Sequence, residues 1–346
     1  MKCDLRTLFT CPPGSIVEWF RKVEQCISIF EPERIQNLRP APAEDIQALE
    51  QLVKEKYGCS LPPSYKLYLQ KMGEADSNIL SRRMGCDLKD CQSFRNMADG
   101  TKYWIDFTFR TFTFRGEIIE TIEEVVAHRT PGHPPFWIFF YEALAELTYG
   151  FSPAADGPDE LMMTVGWRFC YPHDTFSKLL FFCAYCDLRR WVLTNGRAME
   201  YKADTFSAGP SCLHALLFHA DCPPEWTVIG QAPLAAFLRE LEEKYSLEPC
   251  WFSGRKEFCL YDMENRPTEE LYPFNRYVAF HADFGLTICI EYYEPEIQVV
   301  IFSEDLSLTK QISDAILEQT RLEEDSINFR QLDWEQVPGW LTFDSR

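Results

Sequence analysis

The stretch that says most about this chain runs from Ala41 to Gly73 and reads APAEDIQALEQLVKEKYGCSLPPSYKLYLQKMG. Its apolar residues repeat at helical spacing in two groups, which are Ile46, Leu49, Leu52, Val53 and Tyr57, then Tyr65, Tyr68, Leu69 and Met72. Between them, Leu61-Pro62-Pro63 must be extended, because each proline restricts the residue before it. Pro63 suits the first turn of a new helix, and Gly73 suits its end. The stretch therefore predicts two amphipathic helices that meet at a rigid corner and cover one face of a sheet.

This arrangement resembles the opening of the SUKH superfamily, which groups yeast cell-wall regulators with bacterial immunity proteins against polymorphic toxins. The residues that match its pattern are Ile46, Leu49-Glu50, Gly58, Leu61-Pro62, Tyr65, Leu69 and Gly73. Two positions depart from it, since Met72 stands where the family usually has asparagine and Pro63 is an additional proline. The resemblance implies an α+β domain whose role is to bind another protein.

Composition limits the classes of protein to which the chain can belong. The 346 residues carry a net charge of −19, and the segment 225–346 alone holds 24 acidic and 10 basic residues. Such a field disfavours nucleic-acid and anionic-membrane partners and attracts basic proteins. The first residues lack the apolar core of a signal peptide, so we expect a cytoplasmic protein whose 14 cysteines are reduced thiols.

The pattern along the chain predicts an α+β fold with a mixed or antiparallel sheet flanked by helices. We expect an N-terminal extension over 1–40, a SUKH-like domain over 41–194, a linker over 195–224 and an acidic second α+β domain over 225–346. Strands are predicted at 136–141, 147–151, 161–167, 250–260, 277–281, 286–293 and 298–302, and helices near 16–27, 175–182, 234–245 and 312–322.

No established catalytic motif is present, and we expect no catalytic residue, cofactor or metal. Two weaker signals keep an enzyme open as an alternative. His173 and Asp174 follow a proline in a predicted loop, where a carboxylate could orient an imidazole. Cys183 and Cys186 have the spacing of zinc ligands, with Cys212 and His214 as the nearest further donors. Both thiols lie in an apolar run, so buried core cysteines are favoured.

The leading hypothesis is a non-enzymatic immunity protein that neutralises a basic, nucleic-acid-targeting toxin. Acidic side chains would contact this partner, and the candidates are Asp156, Asp159, Glu160, Glu291, Glu294 and Glu296. The first alternative is an intracellular regulator or scaffold of the same superfamily. The second, an enzyme, would use one of the two weak signals described above.

Overall fold

A computed structural model describes the residues 5–29, 31–57, 60–73, 79, 111–114, 117–121, 137–142, 147–151, 161–165, 170–199, 212–227, 232–253, 258–261, 267–272, 276–281, 283, 285–293, 296–322 and 327–333. Its helices are α1 (Leu5–Phe9), α2 (Ile16–Ser28), α3 (Ala43–Tyr57), α4 (Pro63–Met72), α5 (Phe176–Asn195), α6 (Pro224–Thr227), α7 (Ala232–Tyr245) and α8 (Leu306–Leu317), with a 3₁₀ helix at Pro32–Asn37. Helices and antiparallel strands coexist in one chain, which confirms the predicted α+β class.

The strands form several antiparallel sheets. Their bounds are β1 (Thr111–Phe114), β2 (Glu117–Thr121), β3 (Trp137–Glu142), β4 (Leu147–Phe151), β5 (Leu161–Val165), β6 (Cys170–Thr175), β7 (Arg197–Met199), β8 (Cys212–Asp221), β9 (Glu248–Pro249), β10 (Phe258–Tyr261), β11 (Pro267–Tyr272), β12 (Arg276–His281), β13 (Leu286–Tyr293), β14 (Glu296–Ser303), β15 (Arg321–Leu322) and β16 (Asn328–Asp333). The largest sheet has the order β7-β16-β8-β14-β13-β12-β9, with β15 also paired to β8. A separate sheet has the order β3-β4-β5-β6.

The large sheet is buried on both faces. Because successive side chains of a strand point to opposite faces, each central strand contributes to two cores. On β14, Val300 and Phe302 belong to one core, whereas Val299 and Ile301 belong to the other. We call these the α5 face and the α8 face, after the helices that pack there. This double burial explains why β14 reads as an almost unbroken apolar run.

Aromatic packing joins the start of the chain to the α5 face. Phe9 of α1 lies edge-on to Phe181 and Tyr185 of α5 and within 6.1 Å of the rings of Phe252 and Phe280. Trp251 donates its indole N–H to the carbonyl of Leu8 at 3.0 Å. Residues expected to form an N-terminal extension therefore share a core with strands near the end of the chain.

The helical hairpin predicted from 41–73 is confirmed. Its second helix places Tyr65 and Tyr68 against Phe176 at the start of α5, with ring centroids 5.3 and 5.5 Å apart. Gly73 closes this helix beside Ala41, since a Cβ at Gly73 would lie 3.0 Å from the Ala41 Cβ and 2.7 Å from the Leu69 backbone. The hairpin packs on α5 as a layer outside the sheet, rather than directly on a sheet face as expected.

Three further expectations differ from the structure. The segment 212–221, within the expected linker 195–224, forms the central strand β8. Its backbone pairs with β14 and β16, and its apolar side chains are buried in the cores on both faces of the sheet. The late helix ends at Leu317, and Leu322 lies instead in the short strand β15. The predicted strand 250–260 begins with a turn at Trp251 and Phe252, and within its described residues strand pairing is found over 258–260.

Candidate functional site

The six acidic residues predicted for an interface fall into three groups. Asp156, Asp159, Glu160 and Glu294 lie outside the described residues. Glu296 is half-buried at the first position of β14. Glu291 is only 1% exposed and forms a buried ion pair, so its side chain has no surface to offer to a partner. We therefore assign Glu291 to the interior of the fold and retain Glu296 for the surface.

Glu296 stands directly opposite Asp221, the last residue of the neighbouring strand β8. Both are half-buried, and neither forms an ion pair with a described residue. Arg321 of β15 faces Asp221 from the other side without forming an ion pair to it. Like charges directly opposite each other in a sheet are destabilising. We call Asp221 and Glu296 the acidic corner.

The pKa of the thiol next to this corner responds to the charge of the two carboxylates. Burial, followed by the charges of Asp221 and Glu296, raises the pKa of Cys222 to about 12. Both carboxylates act in the same direction on this group, because a nearby negative charge disfavours the thiolate. The acidic corner therefore combines two carboxylates with partial exposure.

A row of polar residues crosses the sheet beside the corner, one residue from each of four neighbouring strands. Arg276, Glu291, Gln298 and His219 face one another in register on β12, β13, β14 and β8. The side chains of Gln298 and His219 are joined by a hydrogen bond of 3.2 Å between their Nε2 atoms. We call these four residues the polar row.

Helix α5 supplies the cation that organises this row. Arg189 is 8% exposed, and its Nη1 lies 2.7 Å from Glu291 Oε1 and donates to Cys289 Sγ at 3.0 Å. Its Nη2 donates to Gln298 Oε1 at 3.4 Å. Burial by itself lowers the pKa of Arg189, but Cys186 and Glu291 help to raise it well above its ordinary value. The guanidinium therefore stays charged and ties the helix to two strands.

Sequence reasoning missed Arg189, although a signal was present. Phe182, Tyr185, Cys186 and Arg189 repeat at the i, i+3, i+4 and i+7 positions of one helix face. An arginine that continues an apolar stripe needs a buried counter-charge. The sequence offers many carboxylates, so the tertiary structure was needed to show which of them is the counter-charge.

The two weak catalytic signals do not assemble into a site among the described residues. Cys183 and Cys186 lie in the core on the α5 face, while Cys212 and His214 alternate onto the α8 face, where His214 stacks on Phe329. The sheet thus separates the two pairs of expected ligands. His173 and Asp174 lie in strand β6 rather than in a loop. Across the described residues, no three His, Cys, Asp or Glu side chains are grouped to hold a metal ion.

Comparisons with known proteins gave no match for this chain. No family model matches the sequence, and neither a curated protein nor a solved structure matches it significantly. In the described part of the chain, every helix is too short or too polar to cross a bilayer. The features of this chain that bear on function are the acidic corner, the polar row and the charge of the whole chain.

Proposed function

We propose that this chain is a SUKH-type immunity protein, a non-enzymatic cytoplasmic protein that binds a basic, nucleic-acid-targeting toxin domain and blocks it. The observation that supports this proposal best is the acidic corner, where Asp221 and Glu296 face each other and neither forms an ion pair with a described residue. The pair costs folding free energy in the isolated chain. A basic side chain from a partner would remove that cost on binding.

The chemistry of the corner favours arginine or lysine on the partner. A guanidinium can donate to two carboxylates at once, and hydrogen bonds between ionised groups are about twice as strong as neutral ones. The net charge of −19 adds a long-range attraction that raises the association rate with a basic protein. A toxin that acts on nucleic acid carries such basic side chains in its phosphate-binding cleft.

The polar row gives the corner a rigid support. His219 and Gln298 lie two residues from Asp221 and Glu296 on the same strands, and Arg189 anchors Gln298 to α5. Side chains held in this way lose little conformational freedom on binding, which favours affinity. Under this proposal, Glu291 acts only through Arg189 and does not contact the toxin.

The first test is a purification of the tagged protein from its native cells at low and at high salt, followed by mass spectrometry. We expect one dominant basic partner that salt releases, because exposed charge pairs are screened. The domain found in this way is then expressed alone, and its toxicity to growth is measured with and without the protein. Recovery of many cellular proteins that lack toxicity would favour the regulator or scaffold instead.

Charge reversal tests whether the acidic corner is the contact. We expect Asp221→Lys combined with Glu296→Lys to weaken toxin binding by about tenfold or more and to abolish growth rescue, because like charges across an interface repel. The matched control is Glu240→Lys combined with Glu243→Lys on the exposed side of α7. It makes the same change in net charge away from the corner and should retain rescue. Equal losses in both variants would contradict the assignment.

A further inference from the structure

His214 is a buried histidine without a hydrogen-bond partner in the described part of the chain. It is 3% exposed, and no described atom is bonded to its Nδ1 or Nε2. Two other histidines with described side chains differ, since His219 is bonded to Gln298 and His281 Nδ1 accepts from the Asp283 N–H. A buried imidazole with no partner is stable only in its neutral form, because a buried cation needs a counter-charge.

The neighbours of His214 on the α8 face have their hydrogen bonds committed elsewhere. Its ring stacks on Phe329, with centroids 5.9 Å apart and the planes 10° from parallel. Ser303, in register on β14, donates to the carbonyl of Asp305 and accepts from its N–H. Gln331, in register on β16, donates to Cys212 Sγ at 2.9 Å. None of these groups holds a spare anion for an imidazolium.

Charged groups on the elements around His214 are also occupied or directed away. On α8, the Asp305 carboxylate caps the helix by accepting from the Leu308 N–H, and Lys310 pairs with Asp314 at 2.5 Å. Strand alternation directs Arg330 of β16 to the α5 face, where it donates to the Gly196 carbonyl. Glu304 follows the last residue of β14, and its side chain is exposed.

Two more titratable residues lie on the strands beside His214. The Cys212 thiol lies on the same face of β8, two residues away, and Asp333 of β16 stands in register with Cys212. Burial is the cause of the lowered pKa of His214, and no neighbouring charge contributes to it.

We propose that His214 is an acid-sensitive latch, which holds the edge strands β16 and β7 on the sheet while it is neutral and releases them when it takes up a proton. Strand β16 pairs with β8 on both sides of His214, from Cys212 to Leu217, and β7 is attached to the sheet through β16. Release of β16 would also free the end of α5, because Arg330 holds Gly196. This inference does not depend on the identity of any partner.

The sign of the effect follows from the direction of the shift. The pKa of His214 is lowered in the folded chain, so the unfolded chain binds more protons between the folded value and about 6.5. Stability from this group is therefore complete above about pH 6.5 and is lost as the pH falls below it. At about pH 5.5 the loss corresponds to an increase of up to about tenfold in the opened population.

Amide hydrogen exchange of the full chain tests the latch at about pH 7.5 and about pH 5.5, after correction for the intrinsic pH dependence of exchange. We expect the β16 and β7 amides of the wild type to lose about tenfold in protection at the lower pH. In His214→Leu, which keeps an apolar side chain and cannot titrate, protection should be equal at both values. The control His219→Gln lies on the same strand and should behave as the wild type does.

Two results would overturn the latch. One is equal protection of wild-type β16 at both pH values, and the other is a loss that persists in His214→Leu. If His214→Leu lowers the protection of β16 already at neutral pH, a titration of the wild type shows whether His214 is responsible for the release. The protonation midpoint of the His214 ring, followed by NMR, must then coincide with the midpoint of β16 release. Separate midpoints would assign the release to another group.

Discussion

The two faces of the large sheet carry different chemistry on the same strands. On β13, Leu286, Ile288 and Ile290 point to the α8 face, whereas Thr287, Cys289 and Glu291 point to the α5 face. The α8 face is closed by aliphatic side chains of α7 and α8. The α5 face adds an aromatic cluster and the buried ion pair of Arg189 with Glu291. Along β13, alternate side chains therefore lie in an aliphatic core on one face and beside a buried ion pair on the other.

This difference has a consequence for strand register. A shift of β13 by one residue would move Glu291 into the aliphatic core and leave Arg189 without its carboxylate. Both faces of this sheet are buried, so an apolar pattern alone would hardly distinguish the two registers. The polar side chains of the α5 face therefore favour one register over the other. Three substitutions test this difference between the two faces, in order of decreasing effect.

The largest effect is expected from Glu291→Ala. Removal of the carboxylate leaves Arg189 charged and buried, which costs about 3–5 kcal/mol of unfolding free energy. The control is Ile290→Ala, its neighbour on the opposite face, where a cavity costs about 2–5 kcal/mol. The double variant Arg189→Met with Glu291→Leu should regain most of the loss, because an apolar pair of similar volume is tolerated. Urea denaturation measures the free energy of unfolding of all three variants. A double variant no more stable than Glu291→Ala would show that the loss does not come from an unpaired Arg189.

A smaller loss is expected from Phe9→Ala. The Phe9 ring contacts aromatic rings of α5, of the turn at Phe252 and of Phe280 in β12, so its removal should cost about 3 kcal/mol. Thermal unfolding is the measurement, and Val17→Ala on α2 is the control because Val17 is 61% exposed. If Phe9→Ala is as stable as the control, the first helix does not belong to the core of the α5 face.

The smallest effect is expected from Tyr185→Phe. Its hydroxyl donates to Thr287 Oγ1 at 3.2 Å within the core of the α5 face, and a buried hydrogen bond contributes about 1 kcal/mol. Tyr245→Phe is the matched change on the α8 face, where the Tyr245 hydroxyl donates to the Gln311 carbonyl at 3.0 Å. We expect Tyr185→Phe to cost more, because Tyr185 is fully buried and Tyr245 is 8% exposed. A larger loss for Tyr245→Phe would reverse the comparison.

Local signals in the sequence predicted much of the secondary structure. The pair of prolines and Gly73 marked the limits of the helix α4, and strands at 276–281, 286–293 and 296–303 follow the predicted apolar runs closely. Thr175 was expected to open a helix, and its side chain caps α5 by accepting from the Lys178 N–H. These features depend on residues that are close in sequence, so they can be read from spacing and residue type.

The candidate site was predicted less well, for a physical reason. The acidic run near Glu291 looked like a surface, yet Glu291 is buried because Arg189 approaches it from a distant helix. Asp221 was not predicted at all, since only the pairing of β8 with β14 places it opposite Glu296. Exposure and charge pairing depend on long-range contacts, which periodicity does not report.

The α+β class, the helical hairpin of 41–73, the main apolar strands and the strongly acidic character could all be predicted from the amino-acid sequence. These properties follow from local spacing and from composition. The tertiary structure was needed to show which carboxylate is buried, which two carboxylates face each other and which histidine has no partner among the described residues. Each of those depends on side chains brought together from distant segments, and burial then determines how strongly their charges interact.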